Sequence, residues 1–464
     1  MTYADFIARK SRFVESSGFV VDESALSPQL FPYQRDLVRW ALRRGRAALF
    51  CQTGLGKTAM QLEWARHVCA RTGGKVLILA PLAVAAQTVR EGAKFCVDVR
   101  HARKPEDVGA TVTVTNYDIL DRFDPREFAG IVLDESSILK AYTSKTTAAL
   151  IDAFARTPYK LCATATPAPN DFTELGNHAE FLGAMSRVEM LATFFVHDGG
   201  STQDWRIKGH AESLFWEWVC SWGAVVSRPS DLGYPDGKHA LPPLIEETHI
   251  LPATHEDAIA SGRLFLDEAR TLQERRAARA GSMPRRVARA VEIVAAEPNE
   301  PWLVWCDLNA ESDALVKAIA GAVEVKGSDS PGHKEDAMIG FADGRHRVLV
   351  TKPSIAGFGM NWQHCARMIF VGMSDSFEQQ FQAIRRCWRF GQTRPVVVHT
   401  VTSELEGAVR GNIARKAQDA ERMAGAASVV VGRVVRDNVR SLERMSTPYI
   451  ATGSVVVPSW LKVS

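Results

Sequence analysis

Short apolar runs recur along the chain, each closed by a polar or glycine-rich cluster and followed by a stretch with helical spacing. Ala47–Phe50 runs into a glycine-rich turn, then Lys57-Thr58, then helix formers. Lys75–Pro81 (KVLILAP) precedes a helical stretch, Leu82–Phe95. Thr111–Thr115 ends at Asn116-Tyr117, Ala129–Asp134 ends at an acidic pair, and Tyr159–Thr164 ends in ATATPAPN. Runs this short and this apolar predict strands buried on both faces of a parallel sheet. Strands alternating with helices predict a doubly wound α/β layer, whose ligands sit at the carboxyl ends of the strands. Every polar cluster here follows a strand, so all are expected at one edge.

The rhythm lapses over residues 175–242. There the aromatic helical stretch SLFWEWVCSW reads as packing, Asp198-Gly199-Gly200 as a loop, and Ser227–Pro243 as a linker rich in turn residues. Leu264–Arg289 is basic and helical, broken by Gly281 and Pro284; it reads as a solvated face or a phosphate-contacting one. A second alternation follows, with strands expected at 301–307, 321–327, 346–352, 367–373 and 395–401. This second α/β lobe has no phosphate loop of its own. Residues 404–428 read as a long charged helix, and capping of the second lobe is the expectation for the rest.

Length and composition narrow the class. A chain of 464 residues allows about two to four domains. An apolar fraction of 46% with 23% charged residues is that of a globular protein with large cores. A net charge of +3 and a pI of 8.4 permit a nucleic-acid partner without demanding one. The cysteines are scattered with no CxxC pair, which argues against zinc ribbons and suits buried thiols such as Cys162 and Cys306 in a reducing cytoplasm. The N-terminal residues carry charges where a signal peptide needs an apolar core. The longest apolar run, Val76–Ala86, is far short of the ~18–20 residues that span a bilayer.

Two clusters carry the strongest chemistry. Ala47–Met60 (AALFCQTGLGKTAM) has the order strand, phosphate loop, helix. Gly54 and Gly56 let backbone N–H groups turn toward phosphate oxygens, and the following helix presents its positive end to them. Lys57 is placed to reach the β and γ phosphates, and the Thr58 hydroxyl to sit on Mg²⁺. Cys51 stands where the full loop pattern has its first glycine. Asp134-Glu135, at a strand end beyond that loop, offers one carboxylate for Mg²⁺ and a neighbour to deprotonate the attacking water. Gln34, upstream of the loop, has an amide able to pair with an adenine edge. In the second lobe, Arg386 and Arg389 share a helical face and suit phosphate oxygens. Glu324-Val325-Lys326 with Asp313 upstream fits only half of a nuclease pattern.

The order of these motifs resembles superfamily 2 helicases and translocases, within them the Swi/Snf-like group, in the compact form found in phages and bacteria. PYQ at 32–34, QTGLGKT at 52–58, APLAVAAQTVRE at 80–91, VTNYDIL at 114–120, IVLDESSILK at 131–140 and ATATPAPNDFTEL at 163–175 carry the resemblance in the first half. AGFGMN at 356–361 and QAIRRCWRFGQ at 382–392 carry it in the second. Ser137 and Trp388 stand where the family commonly has histidine.

The resemblance implies an α/β protein of two RecA-like parallel-sheet lobes in tandem, with ATP in the cleft between them. It implies that Gln34 reads adenine, and that Thr53, Gly54, Leu55, Gly56, Lys57 and Thr58 hold ATP, with Gly359 approaching from the other lobe. Thr58 and Asp134 would bind Mg²⁺, Glu135 would be the general base, and Arg386 and Arg389 would be arginine fingers. The implied organisation is a lead-in at 1–28, lobe 1 at 29–226 with a helical insertion at 175–226, a linker at 227–243, lobe 2 at 244–403 and a tail at 404–464. The expected activity is a DNA-dependent ATPase moving on duplex DNA without sequence preference, as a monomer in a bacterial or phage-infected cytoplasm. A protein partner is expected on the tail. A strand-separating helicase of DNA or RNA, or an ATP-gated binding subunit, are the rival expectations.

Overall fold

The computed structural model describes residues 16–141, 144–168, 171–197, 205–254, 279–356, 360–372, 376–407, 409, 411–416 and 418. The first sheet is built from β1 (Arg46–Cys51), β2 (Lys75–Ala80), β3 (Val99–His101), β4 (Val112–Asn116), β5 (Phe128–Asp134), β6 (Tyr159–Ala163) and β9 (Gly223–Val226). Their order is β3-β4-β2-β5-β6-β1-β9, every pair parallel. Between β6 and β9 the chain makes a small antiparallel hairpin, β7 (Phe195–His197) with β8 (Trp205–Ile207). The central strands are apolar on both faces because helices cover both: Leu77, Ile78, Leu79, Ile131, Val132 and Leu133 are fully buried. The helix Lys57–Thr72 packs on β5, and the helix Pro32–Arg44 packs on that helix and on β1.

The second sheet runs β10 (Leu244–Leu251), β15 (Val396–Ser403), β14 (Arg367–Val371), β11 (Trp302–Cys306), β13 (Val348–Thr351), β12 (Ala322–Val325), again all parallel. The alternation predicts two such doubly wound layers in tandem, and they are the two RecA-like lobes that the resemblance implies. Trp302, Trp305 and Trp362 fill the second core. Cys162 and Cys306 are buried free thiols. Among the described residues no helix is long and apolar enough to cross a membrane.

Besides the β7–β8 hairpin, three strands of the two large sheets depart from the pattern reading, each for a physical reason. β3 is three residues long, too short for a period to show. β9 lies where the rhythm lapses: the helix Glu212–Trp222 buries its aromatic face and delivers Gly223 against Phe50, so a strand of four residues completes the sheet beside β1. β10 (LIEETHIL) is an edge strand with no fully buried side chain, so it lacks the apolar signature while pairing with β15 along its length. One residue of the basic stretch departs from expectation. Arg286 lies inside the helix Met283–Ala296, fully buried, 2.7 Å from the buried Glu311 and near Glu406. A guanidinium enclosed by two carboxylates is structural, and neither solvated nor free for phosphate. Most of that stretch, with Asp198-Gly199-Gly200, most of the lead-in and most of the tail, lies outside the described residues.

Candidate ATP site between the lobes

β1 ends at Cys51, and the loop that follows turns on two glycines in positive-φ backbone, Gly54 (φ 93°) and Gly56 (φ 76°). Neither has room for a side chain. A Cβ on Gly56 would lie 2.3 Å from Gln34 Nε2, and one on Gly54 would lie 3.0 Å from Phe390 of the second lobe. The helix then starts at Lys57 with Gly56 as its N-cap. Lys57 Nζ donates to the Cys51 carbonyl at 2.9 Å, across the mouth of the loop. Gln34 is buried, donates to the Leu55 carbonyl at 2.9 Å and accepts from Phe31 N–H at 2.9 Å. Its amide therefore braces the phosphate loop, and a primary amide still has one donor and one acceptor position in reserve. Tyr33 adds a second brace, donating to the same Leu55 carbonyl at 3.0 Å.

Asp134 closes β5 beside this loop. Burial, then the charge of Glu135, push its carboxyl up to about 6, against a hydrogen bond from Gln61 Nε2 at 2.6 Å and the nearby Lys57 charge. Gln61 is one helical turn past Lys57, so the same helix face serves phosphate loop and carboxylate. The Tyr117 hydroxyl donates to the Asp134 carbonyl at 2.7 Å. Glu135 sits in left-handed backbone (φ 53°, ψ 54°), a sparsely populated conformation for a non-glycine residue. That twist turns the carboxylate away from the strand line. The Thr164 hydroxyl donates to its Oε2 at 3.3 Å and accepts from Thr166 N–H at 3.1 Å. Thr164 thus ties the end of β6 to Glu135.

The turn after Glu135 is clamped from the helix Leu175–Leu182. Ser136 Oγ lies 3.1 Å from His178 Nε2, and Asn177 Nδ2 donates to the Leu139 carbonyl at 2.5 Å. Burial drives the His178 imidazole down to about 4, so it is neutral. The residue that links this turn to a histidine is Ser136; Ser137 is buried next to it.

The second lobe contributes its arginines at the end of the helix Phe377–Ile384. Arg386 is buried, its Nε donating to the Gln382 carbonyl at 3.1 Å and its Nη1 to the Met360 carbonyl at 3.2 Å. Arg389 donates to the same Met360 carbonyl at 3.2 Å. Burial, then the Arg389 charge, lower Arg386 to about 10, while the Glu135 charge opposes this from across the cleft. Both guanidiniums remain cationic. Lys140 of the first lobe forms an ion pair with Glu378 at the start of the arginine-bearing helix. Phe390 caps Gly54 and joins Phe31, Tyr33 and His239 in an aromatic group spanning both lobes and the connecting segment.

The structure therefore brings Gln34, Thr53–Thr58, Asp134, Glu135, Arg386 and Arg389 to one cleft. Gly359 lies outside the described residues. The donor set suits Mg²⁺, which takes hard oxygens such as the Thr58 hydroxyl and the Asp134 carboxylate, and the glycine cradle suits a triphosphate. Pattern reading placed Tyr117 at a strand end but not beside Asp134, and missed Gln61, Asn177, His178, Glu378 and Phe390. Only Gln61, four residues past Lys57, had a spacing that could have flagged it. The half-nuclease cluster is also assembled: Lys326 pairs with Asp313 and, at 2.9 Å, with Glu324. The ammonium fills the space a metal would need between those carboxylates.

The SNF2-related domain family matches residues 33–194, and the helicase conserved C-terminal domain family matches residues 285–391. No curated protein matches the chain. Among solved structures, the Sulfolobus solfataricus SWI2/SNF2 ATPase core in complex with dsDNA is similar at 19% identity over 91% of this chain and 99% of that chain, with a TM-score of 0.41. With an SNF2-related domain on its first sheet and a helicase C-terminal domain on its second, the chain belongs to the superfamily 2 helicases, in the Swi/Snf-like group.

Proposed function

We propose that this protein is an ATP-dependent translocase on duplex DNA that hydrolyses ATP at the lobe interface. One observation carries the reading: Phe390 of the second lobe lies over Gly54 of the phosphate loop, and the neighbouring Arg386 feels the charge of Glu135 in the first. In this reading Lys57 and the backbone of Thr53–Gly56 hold the triphosphate, Gln34 holds the adenine side, and Thr58 and Asp134 hold Mg²⁺. The metal, when bound, neutralises phosphate charge. Glu135 takes the proton of the attacking water, steered by Thr164. Arg386 and Arg389 stabilise the charge that develops on the transferred phosphoryl group.

Residues 29–226 and 244–403 act as the two moving lobes, with 227–243 as their linker. The track runs over the carboxyl ends of β2 and β4, near Pro81 and Thr115–Tyr117, and over the segment from Ser354. Tyr117 donates to the Asp134 carbonyl, so the same residue touches the track side and the metal side. Contacts of this kind are to phosphates, so binding is independent of sequence and weakened by salt.

The test is ATPase rate with duplex DNA, single-stranded DNA and RNA in parallel. Strongest stimulation by duplex DNA is expected; stimulation only by single strands or RNA overturns the duplex assignment. Strand separation is a second reading, favoured by the β7–β8 hairpin, which presents His197 against Trp205 with ring centroids 3.7 Å apart. A third-strand displacement assay beside a duplex-unwinding assay separates the two, since a translocase strips the third strand and leaves the duplex paired.

A further inference from the structure

We propose that Glu247, His249 and His399 form a binding site for a divalent transition metal of the zinc class, on the outer edge of the second lobe's sheet. Register brings them together. Glu247 pairs with His399 across β10 and β15, and His249 is two residues further on the same face of β10. His249 Nε2 lies 3.0 Å from His399 Nδ1, and a Glu247 carboxylate oxygen lies 3.3 Å from that same nitrogen. All three ligand atoms fall within 4.8 Å of one another. Metal–nitrogen bonds of ~2.0–2.1 Å in a tetrahedral site put ligand atoms roughly 3.3 Å apart. Two of the three separations already have that size, and the exposed Glu247 carboxylate is free to rotate for the third.

The chemistry of the donors agrees. Both imidazoles are at least partly withdrawn from water, and a neutral ring nitrogen is the form that ligates metal. Two cations bear on the pair, Arg289 on His249 and Arg367 on His399, and each has its own carboxylate, Glu292 at 3.0 Å and Glu297 at 2.8 Å. Trp302 backs His399 with ring centroids 5.7 Å apart, holding that ring in place. The open side faces solvent, leaving a fourth position for water. Two imidazoles and one carboxylate select zinc-class ions over Mg²⁺, which prefers all-oxygen octahedra. A bound ion would staple β10, an edge strand without a fully buried side chain, onto β15. β10 is the first element of this lobe after the connecting segment, so the staple would secure the lobe's attachment. None of the three ligands is a residue assigned to hydrolysis, and the site stands independently of the motor reading.

The test uses the full chain, stripped with a chelator and titrated with ZnCl₂ by calorimetry, without nucleotide and with excess Mg²⁺ to occupy oxygen sites. Co²⁺ serves as the spectroscopic probe of tetrahedral geometry. One equivalent of Zn²⁺ is expected to bind and to raise the thermal midpoint. His249→Ala, at a partly exposed position on an edge strand, should fold and weaken that binding by more than the ~10–100-fold typical of losing an outer-shell partner. Glu247→Gln should weaken it less and remove the thermal gain in part. ATPase activity of both variants should match the parent. Absence of Zn²⁺ binding by the parent overturns the proposal, because the cluster is then a plain Glu–His–His hydrogen-bonded chain. Binding by His249→Ala and Glu247→Gln equal to the parent also overturns it, because the ion then sits elsewhere.

Discussion

Asp134 is where burial and charge are most at odds. Its carboxyl is buried beside Glu135 and pushed up to about 6, against an ordinary value of about 3.9. Between those values the folded chain holds a proton that the unfolded chain has released. Stability therefore falls as pH rises through about 6, and an ion that neutralises the ionised pair restores it. Asp134→Asn should stabilise the metal-free protein at pH 8 by about 1–3 kcal/mol, measured by urea denaturation, and should abolish Mg²⁺-dependent hydrolysis. Mg²⁺-ATP binding by the parent should weaken as pH drops through about 6, since the protonated carboxyl cannot ligate. Arg386 makes the converse case: a cation held buried by neutral carbonyls has strong demand for an anionic partner. Arg386→Ala should lower turnover by about 10³–10⁵ while nucleotide binding, followed by fluorescence of a labelled ATP analogue, is retained. Normal hydrolysis by that variant would remove Arg386 from the transition state.

At the scale of elements, short connections place the chemistry on rigid supports. The phosphate loop is braced by Gln34 and Tyr33 from the helix before it and roofed by Phe390 from the other lobe. Gly54→Ala would force a side chain into left-handed backbone, at roughly 1–2 kcal/mol, and press it on Phe390. The expected result is a large loss of ATPase with near-parental stability of the first lobe, read by hydrogen exchange in β2 and β5. In the second lobe, Arg286 anchors the helix Met283–Ala296 to Glu311, with Glu406 beside it; all three are almost fully buried. Removing one partner leaves an uncompensated charge, so Glu311→Ala should cost about 3–5 kcal/mol in the unfolding of that lobe. Glu406 also accepts from Ser403 N–H at 3.0 Å, so the first turn of the tail belongs to the second lobe's structure. A truncation that probes the tail must therefore leave Glu406 in place.

At the scale of the molecule, an ion pair joins the two lobes. Lys140 follows the acidic pair of the first lobe, and Glu378 begins the helix that carries the second lobe's arginines. Their ion pair bridges the end of one lobe's acidic turn and the start of the other lobe's helix. Lys140→Met should open the lobes in the absence of nucleotide by about 1 kcal/mol, roughly a fivefold shift in the closed fraction. Fluorescence energy transfer between labels on the two lobes would report it, and the double exchange Lys140→Glu with Glu378→Lys should restore closure. If the exchange fails to restore what both single changes lose, the pair is a bystander at the interface.

The sequence by itself determined whatever depends on neighbouring residues. Buried parallel strands must be short and apolar on both faces, so β1, β2, β4, β5, β6 and most of the second sheet were readable. A phosphate loop needs glycine and lysine at fixed spacing, so Gly54, Gly56 and Lys57 were readable too. β10 escaped because an edge strand need not be apolar, and β9 because four residues cannot display a period. What tertiary structure alone decided are the meetings of residues far apart in the chain. Gln61 reaches Asp134, Ser136 meets His178, Lys140 finds Glu378, and Phe390 closes over Gly54. It also decided that Arg286 is enclosed between carboxylates rather than offered to solvent. Local spacing constrains which backbone forms, whereas burial and charge pairing depend on what the other lobe, or the far edge of a sheet, brings within a few ångströms.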